Sequence, residues 1–199
     1  MVKISHAVIG SRGELPDIYK RVTDQAHEQC ASQWSLGTLA GAQGDYSRQE
    51  AHWLAYLDCQ DAKALSLVHA AAPTSLTLAE HAVRVYPQSS EGWFWLGEIY
   101  NTNGEKDPAQ IAFQRAITAD PTAGTAWCQL GSLLTSSDLV KAREAFASCC
   151  INGDPGVNGC WNAGMISEQL GDKEQAIHYY LLSRWPQAQQ KAKDLENRP

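Results

Sequence analysis

A spacing of 34 residues recurs through the second half of this chain, and it constrains the fold more than any other feature of the sequence. Gly97, Gly131 and Gly164 follow one another at intervals of 34 and 33 residues, within the similar runs WFWLGEIY, WCQLGSLL and CWNAGMIS. A second set of marks keeps nearly the same interval, an alanine followed four residues later by an aromatic residue: Ala109 and Phe113, Ala142 and Phe146, Ala176 and Tyr180. A period of this length predicts an array of similar structural units.

Each unit of the period has the pattern of two helices joined by a turn. In the copy that starts at Glu91, the positions i, i+3, i+4 and i+7 of one helical face are Trp93, Leu96, Gly97 and Tyr100. Gly97 has no Cβ atom, which lets a partner helix approach closely. Gly104 ends the first helix, and we expect the second to begin with Asp107 as N-cap and Pro108 at the first helical position. The inner stripe of that second helix is Ala109, Phe113 and Ala116.

This pattern resembles the tetratricopeptide repeat, whose signature is W-x-x-L-G-x-x-Y, a turn glycine, A-x-x-x-F-x-x-A and a closing proline. Residues 90–121 match at every slot, while residues 124–155 and 157–186 match well, with Leu134 in a tyrosine slot and Cys160 in a tryptophan slot. The resemblance implies an all-α fold, a right-handed α-solenoid of antiparallel helix pairs. It also implies a concave groove, lined by the first helix of each pair, that holds a peptide or a partner helix.

The rest of the chain is expected to extend this array at both ends. Residues 31–61 form a divergent copy, and residues 62–87 a short, degenerate one. Residues 1–13 are predicted to be an N-terminal arm, residues 14–30 an extra helix, and residues 187–199 a C-terminal capping helix that keeps the end of the array polar. About five helix pairs with terminal capping helices are therefore expected.

Charge and hydropathy exclude two classes of partner. The net charge of −6 and the isoelectric point near 5.5 argue against a nucleic-acid-binding protein, which needs a basic face. Mean hydropathy is −0.36, no run of 18 apolar residues occurs, and the first residues have no apolar stretch typical of a signal peptide. We therefore expect no direct membrane insertion and a cytoplasmic location, with a soluble piece of a longer exported or membrane protein as the alternative.

The six cysteines carry no C-x-x-C motif and no Cys/His cluster at zinc spacing. We expect them to be small buried fillers with free thiols, as in a reducing cytosol, the alternatives being disulfide or metal roles. An oxidised pair between Cys149 and Cys160 is geometrically conceivable, because the helix that ends at the first should pack on the helix that starts near the second.

Residues beside the motif glycine are expected to face the groove. The slot three residues before it holds Trp34, Phe94, Cys128 and Trp161, and the slot one residue after it holds Thr38, Glu98, Ser132 and Met165. With neighbouring polar residues added, the predicted partner-binding residues are Trp34, Phe94, Glu98, Asn101, Gln129, Asn158, Trp161, Asn162, Met165 and Glu168. The surface is aromatic, amide-rich and weakly acidic. It lacks the Lys and Arg with which some members of the resembled family clamp a C-terminal carboxylate.

Several aromatic residues have a structural explanation instead. Trp34, Phe94 and Trp161 either face the groove or pack against a flanking helix. The aromatic residues assigned to the core are Trp93, Trp127, Phe113, Phe146 and Tyr180, while Trp53 and Trp185 are assigned to packing and Trp95 is unassigned.

No motif of nucleotide, hydrolase or metalloprotease sites occurs, and the six histidines are scattered along the chain. We expect no catalytic residue, no cofactor and no metal. The function predicted is a non-catalytic adaptor that holds an apolar partner segment, flanked by Lys or Arg, in the groove. The alternative is a regulatory or substrate-recruiting domain of a larger enzyme, for instance a membrane-bound glycan-assembly enzyme. Self-association is compatible with both.

Overall fold

The computed structural model describes residues 15–59, 63–153 and 158–197, and within these ranges the chain forms eleven α-helices and no strand. The helices are α1 Leu15–Ala42, α2 Tyr46–Asp58, α3 Ala64–Ala71, α4 Leu76–Val85, α5 Ser90–Thr102, α6 Lys106–Ala119, α7 Gly124–Leu134, α8 Leu139–Asn152, α9 Gly159–Gln169, α10 Lys173–Leu182 and α11 Pro186–Glu196. The chain divides into two compact units, the first ending at Ala64 and the second running from Leu65 to Pro199. None of the described helices is long and apolar enough to cross a membrane.

The first unit is a helical hairpin of α1 and α2. The predicted separate helix of residues 14–30 is wrong, because α1 is one helix of 28 residues and nothing between Cys30 and Trp34 breaks it. Gly44 makes the turn with a φ of 78°. Asp45 then caps α2 by accepting a hydrogen bond from the backbone N–H of Arg48. The predicted arm of residues 1–13 lies outside the described residues.

The second unit is a row of helical hairpins. Helices α5 and α6, α7 and α8, and α9 and α10 form the three hairpins, and successive hairpins contact each other through α6 against α7 and α8 against α9. α4 packs on α5 at one end, and α11 packs on α10 at the other. This is the all-α solenoid predicted from the 34-residue period, and it places α5, α7 and α9 at equivalent positions.

Within each hairpin, a glycine of the first helix lies under an aromatic ring of the second. A Cβ atom on Gly97 would come 2.6 Å from the Phe113 ring, and the same clash recurs for Gly131 with Phe146 and for Gly164 with Tyr180. The three rings are 0%, 4% and 0% exposed, which confirms their assignment to the core. Burial of one such ring stabilises the fold by about 1.5–3 kcal/mol.

Two tryptophans assigned to the core have a different role. Trp93 and Trp127 are only half-buried, and the indole Nε1–H of each donates a hydrogen bond to a proline carbonyl six residues earlier, that of Pro87 or Pro121. They therefore fix the connection from one hairpin to the next. Trp95, which the sequence left unassigned, is fully buried in the core of the second unit.

The start of α6 also differs from its prediction. The helix begins at Lys106 with Glu105 as N-cap, so Asp107 and Pro108 lie inside its first turn. The reason is that the left-handed turn at Gly104, where φ is 81°, leads directly into the helix.

The prediction of free cysteines is wrong. All six cysteines are paired in disulfides, Cys30–Cys59, Cys128–Cys149 and Cys150–Cys160, with Cα–Cα distances of 5.9, 5.1 and 4.6 Å. The conceivable pair of Cys149 with Cys160 is wrong as well. Because consecutive residues of a helix point about 100° apart around its axis, Cys149 of α8 reaches α7, and Cys150 reaches α9. In the described ranges, no group of three or more His, Cys, Asp or Glu residues could hold a metal ion.

Candidate functional site

Two adjoining clefts lie on the side of the second unit formed by α5, α7 and α9. The first has a volume of about 350 Å³ and is lined by Phe94, Glu98, Thr125, Cys128, Gln129, Ser132, Phe146, Asn158 and Asn162. The second has a volume of about 270 Å³ and is lined by Ser132, Thr135, Phe146, Asn162, Met165, Ile166 and Gln169. Because Ser132, Phe146 and Asn162 belong to both, the two clefts form one groove across the first helices of three hairpins. We call it the α5–α7–α9 groove.

The lining of this groove combines an apolar floor with polar walls that carry one carboxylate, that of Glu98. The floor is formed by Phe94, Phe146 and Met165, together with Cys128, and the walls carry side-chain amides and hydroxyls of α7 and α9. Each amide offers both hydrogen-bond donors and an acceptor. Among the described residues, neither cleft is lined by a Lys or an Arg.

Glu98 is the carboxylate in this lining. It also lines a further cleft of about 290 Å³ beside Pro73, Thr74 and Thr102, so it is open to ligands from two sides. Burial raises the pKa of Glu98, while the charge of the nearby His69 acts in the opposite direction. A carboxylate that has lost part of its hydration gains from a cationic partner placed beside it.

His69 is held beside Glu98 by its own contacts. Its ring stacks on Trp95 at a centroid distance of 5.0 Å, and its Nδ1 lies 3.4 Å from Oε1 of Glu91. The indole Nε1–H of Trp95 donates to the carbonyl oxygen of Pro73 at 2.8 Å. These contacts join α3 and the turn after it to α5, beside the further cleft that Pro73 and Glu98 line.

The structure brings six of the ten predicted binding residues together in the groove: Phe94, Glu98, Gln129, Asn158, Asn162 and Met165. Asn101 is exposed on α5, and Trp34 belongs to the first unit. Seven lining residues are absent from the ten: Cys128 and Ser132, which the sequence placed in groove-facing slots without assigning them to binding, and Thr125, Thr135, Phe146, Ile166 and Gln169. Helical spacing carries a signal for Thr125 and Gln169, because positions 125, 129 and 132 share a face of α7, and positions 162, 165 and 169 share a face of α9.

Trp161 and Glu168 lie under the C-terminal helix α11. The Lys191 ammonium group is 2.6 Å from Oε1 of Glu168 and donates a hydrogen bond to the Tyr180 hydroxyl at 3.1 Å. The hydroxyl of Tyr180 in turn donates to Glu168. The same ammonium lies 5.5 Å from the Trp161 ring and 5.1 Å from the Tyr180 ring. Burial, and then the carboxylate of Glu168, raise the pKa of Tyr180 above its ordinary value.

The slot three residues before the motif glycine connects the two helices of each hairpin. Trp34 stacks on Trp53 with 5.7 Å between ring centroids. Phe94 contacts Phe113 in a tilted arrangement at 5.7 Å, and Trp161 contacts Tyr180 at 5.3 Å, also tilted. In the remaining hairpin the slot holds Cys128, which is disulfide-bonded to Cys149. A covalent bond therefore takes the place of the aromatic pair there. Phe94 both packs in this way and lines the groove.

Comparison with known proteins identifies the repeats. A family model described as tetratricopeptide repeat matches residues 90–122 and 157–183. A region of 67 residues, 34% of this chain, is 36% identical to the CTR9 homolog of Arabidopsis thaliana, and it spans 6% of that protein.

Solved structures show the same fold. The crystal structure of MamA superposes with a TM-score of 0.61 at 19% identity, over 87% of this chain and 98% of MamA. The structure of YrrB, a tetratricopeptide-repeat protein described as having an unusual peptide-binding site, superposes with a TM-score of 0.56 at 17% identity, over 90% of this chain and 98% of YrrB. Residues 90–122 and 157–183 are therefore tetratricopeptide repeats, and the chain has the helical-hairpin fold of these structures.

Proposed function

We propose that this protein is a non-catalytic scaffold that binds a segment of a partner protein in the α5–α7–α9 groove. The observation that carries the proposal is the groove itself, in which an apolar floor, amide and hydroxyl walls and one carboxylate meet across three hairpins. Scaffold repeats of this class bind proteins, and the description of YrrB as peptide-binding supports the same use here.

The amide walls favour a segment that is not helical. Gln129, Asn162 and Gln169 lie along the two clefts and can both donate and accept hydrogen bonds. A non-helical segment presents its main-chain N–H and C=O groups, whereas a helix satisfies most of them internally. Apolar side chains of the segment would contact Phe94 and Met165.

The charge of the groove selects a basic residue in that segment. Glu98 is the carboxylate that lines the groove, neither cleft is lined by a Lys or an Arg, and the chain has a net charge of −6. A Lys or Arg of the partner beside Glu98 would restore the interaction that its carboxylate loses by partial burial. A partner's C-terminal carboxylate would find no basic clamp in this lining.

The test is selection of peptides from a random displayed library on the intact chain. A Gln129→Ala, Asn162→Ala double variant removes two amides from the groove, and the matched control, Gln114→Ala with Gln175→Ala, removes two exposed amides from α6 and α10. Selected peptides should bind the control like the wild type and the groove variant at least about tenfold more weakly, as expected for the loss of two hydrogen bonds. Equal binding to both variants would show that the peptides bind elsewhere.

The pH dependence of binding gives a second test. Because a basic residue binds ionised Glu98, and because burial raises the pKa of Glu98, affinity should fall as pH is lowered through that raised pKa. Glu98→Gln should bind more weakly at neutral pH and should lose this dependence. A wild-type affinity that stays constant from pH 7 to pH 4 would exclude Glu98 as the recognition group.

The proposed compartment is an oxidising one, instead of the cytosol expected from the sequence. That expectation depended on free thiols, and all six cysteines are paired. Proteins with several structural disulfides belong mostly to secreted, periplasmic or lumenal environments.

A further inference from the structure

The two walls of the groove are joined by a short covalent path. Cys128 of α7 is bonded to Cys149, and Cys160 of α9 is bonded to Cys150, the next residue of α8. Only one peptide link separates the two disulfides. We call this path, from Cys128 through Cys149 and Cys150 to Cys160, the disulfide brace.

The helix ends around the brace pack through their backbones. A Cβ atom on Gly124, the first residue of α7, would lie 2.4 Å from the backbone of Gly153 after α8. A Cβ atom on Gly159, the first residue of α9, would lie 2.6 Å from Sγ of Cys149 and from the backbone N of Cys150. At this junction the two disulfides tie the ends of α7 and α9 to α8, in addition to the apolar contacts that these helices make along their length.

The brace lies beside the first cleft of the groove. Cys128 itself lines that cleft, and Gln129 is the next residue of α7. On the opposite wall, Asn158 and Asn162 stand two residues before and two residues after Cys160. A change in the separation of the bonded helix ends would therefore move the amides of both walls.

We propose that the disulfide brace controls the α5–α7–α9 groove: with both bonds formed the walls are held at binding separation, and reduction releases them and weakens partner binding. The inference rests on the proposed function of the groove. It assigns the two disulfides of the adjacent residues Cys149 and Cys150 a regulatory role, in addition to the stabilising role that any disulfide has.

The reaction is thiol–disulfide exchange with a dithiol reductant, either a protein or a small molecule. One thiolate of the reductant attacks a sulfur of Cys128–Cys149, forms a mixed disulfide and releases one protein thiolate. The second thiol of the reductant then displaces the other protein sulfur. Two electrons and two protons pass to each protein disulfide, and the reductant leaves as a disulfide. Cys150–Cys160 is reduced by the same steps.

Peptide mapping without reduction tests whether the brace exists. Trypsin cuts after Arg115, Lys141, Arg143 and Lys173, so the peptides of residues 116–141 and 144–173 should be recovered as one linked species and should separate after reduction. In the Cys150→Ser, Cys160→Ser variant they should stay linked, since Cys128 then has Cys149 as its partner. Two separate peptides from protein purified without reductant would overturn the proposal.

Hydrogen–deuterium exchange tests the effect on the walls without any ligand. Reduction of wild type should speed exchange at the N-terminal ends of α7 and α9, and Cys128→Ala with Cys149→Ala should show faster exchange in α7 before any reductant is added. The matched control is Cys30→Ser with Cys59→Ser, which removes the disulfide of the first unit and should leave both walls unchanged. Unchanged exchange in α7 and α9 after complete reduction would refute the proposal.

Affinity for a peptide selected on the oxidised protein completes the test. Reduction should weaken that affinity by about fivefold or more, the lower range of coupling between linked sites. Reduction of the Cys30→Ser, Cys59→Ser control should weaken it equally. If no peptide binds the groove at all, the proposed function fails, and the exchange experiment still decides on the brace. If a peptide binds equally before and after reduction, the groove stands and control by the brace is refuted.

Discussion

Replacement of Gly97 by alanine tests the hairpin packing most sharply. The added Cβ atom would lie 2.6 Å from the Phe113 ring, where ordinary contacts begin at 3.4 Å. The ring is 0% exposed and contacts Phe94, whose centroid is 5.7 Å away, so relief of the clash requires packed neighbours to shift. Overpacking of this kind costs about 1–3 kcal/mol.

The opposing effect is the higher helix propensity of alanine, which is worth about 1 kcal/mol in a helix interior. Gly92 in the same helix provides the matched control, because its added Cβ atom would meet Val83 and Leu65 at ordinary distances of 3.7 and 3.8 Å. The propensity gain largely cancels between the two variants. We therefore expect Gly97→Ala to be less stable than Gly92→Ala by about 1–3 kcal/mol.

The assay is urea unfolding followed by far-UV circular dichroism. Midpoints of the two variants can be compared directly if the slopes agree, and unequal slopes would show that the hairpins unfold separately. The reasoning is refuted if Gly97→Ala is as stable as Gly92→Ala, since the Phe113 ring would then have room that the structure does not show.

Two further substitutions test individual hydrogen bonds. Tyr180→Phe removes the hydroxyl between Glu168 and Lys191 and should cost about 1–2 kcal/mol in urea unfolding, with α11 exchanging its amide hydrogens faster. Because the pKa of Tyr180 is raised on folding, the folded state keeps a proton that the unfolded state releases above about pH 10. Wild-type stability should decline there, and the variant should lack that part of the decline; identical pH profiles would count against the network. Trp127→Phe removes the hydrogen bond to the Pro121 carbonyl and should cost about 0.5–1.5 kcal/mol, whereas an unchanged unfolding midpoint would show that this bond is not needed.

The hairpins were predictable because their signals are local and repeat. The glycine of the first helix and the aromatic residue of the second recur 15 or 16 residues apart in each copy, and a residue without a side chain opposite a large ring indicates that the two helices pack closely there. The turn glycines follow the same logic, since the positive φ of Gly104 and Gly171 needs a residue without a side chain.

The failures concern contacts whose partner is distant in sequence or lies off the repeat pattern. No sequence motif links Cys128 to Cys149. Their pairing follows only from the folded hairpin, in which their Cα atoms lie 5.1 Å apart. Trp93 has the spacing of a core residue, yet its indole lies over the hairpin connection, where Nε1–H can reach a carbonyl that a fully apolar core would not supply. Likewise, Lys191 is beyond the repeats, so sequence reasoning left Glu168 unpaired.

Six groove residues were found from helical position alone, because the first helix of each repeat presents one face in a fixed direction. Trp161 fails the same reasoning, since its aromatic neighbours Tyr180 and Trp185 and the terminal helix α11 cover it. Terminal repeats depart from the rules of the inner ones for this reason: their exposed apolar surface has to be covered by something outside the repeat pattern.

The central claim is that the groove recognises a basic partner residue through Glu98, and a charge exchange tests it most directly. Isothermal titration calorimetry would measure the affinity of two peptides for two forms of the protein, wild type and Glu98→Lys. One peptide is a selected peptide, and the other is the same peptide with the Lys or Arg that the selected peptides share changed to Glu. The account predicts that each single change weakens binding and that the double change restores at least part of it. Additive losses in the double change, with no recovery, would contradict a contact between that residue and Glu98.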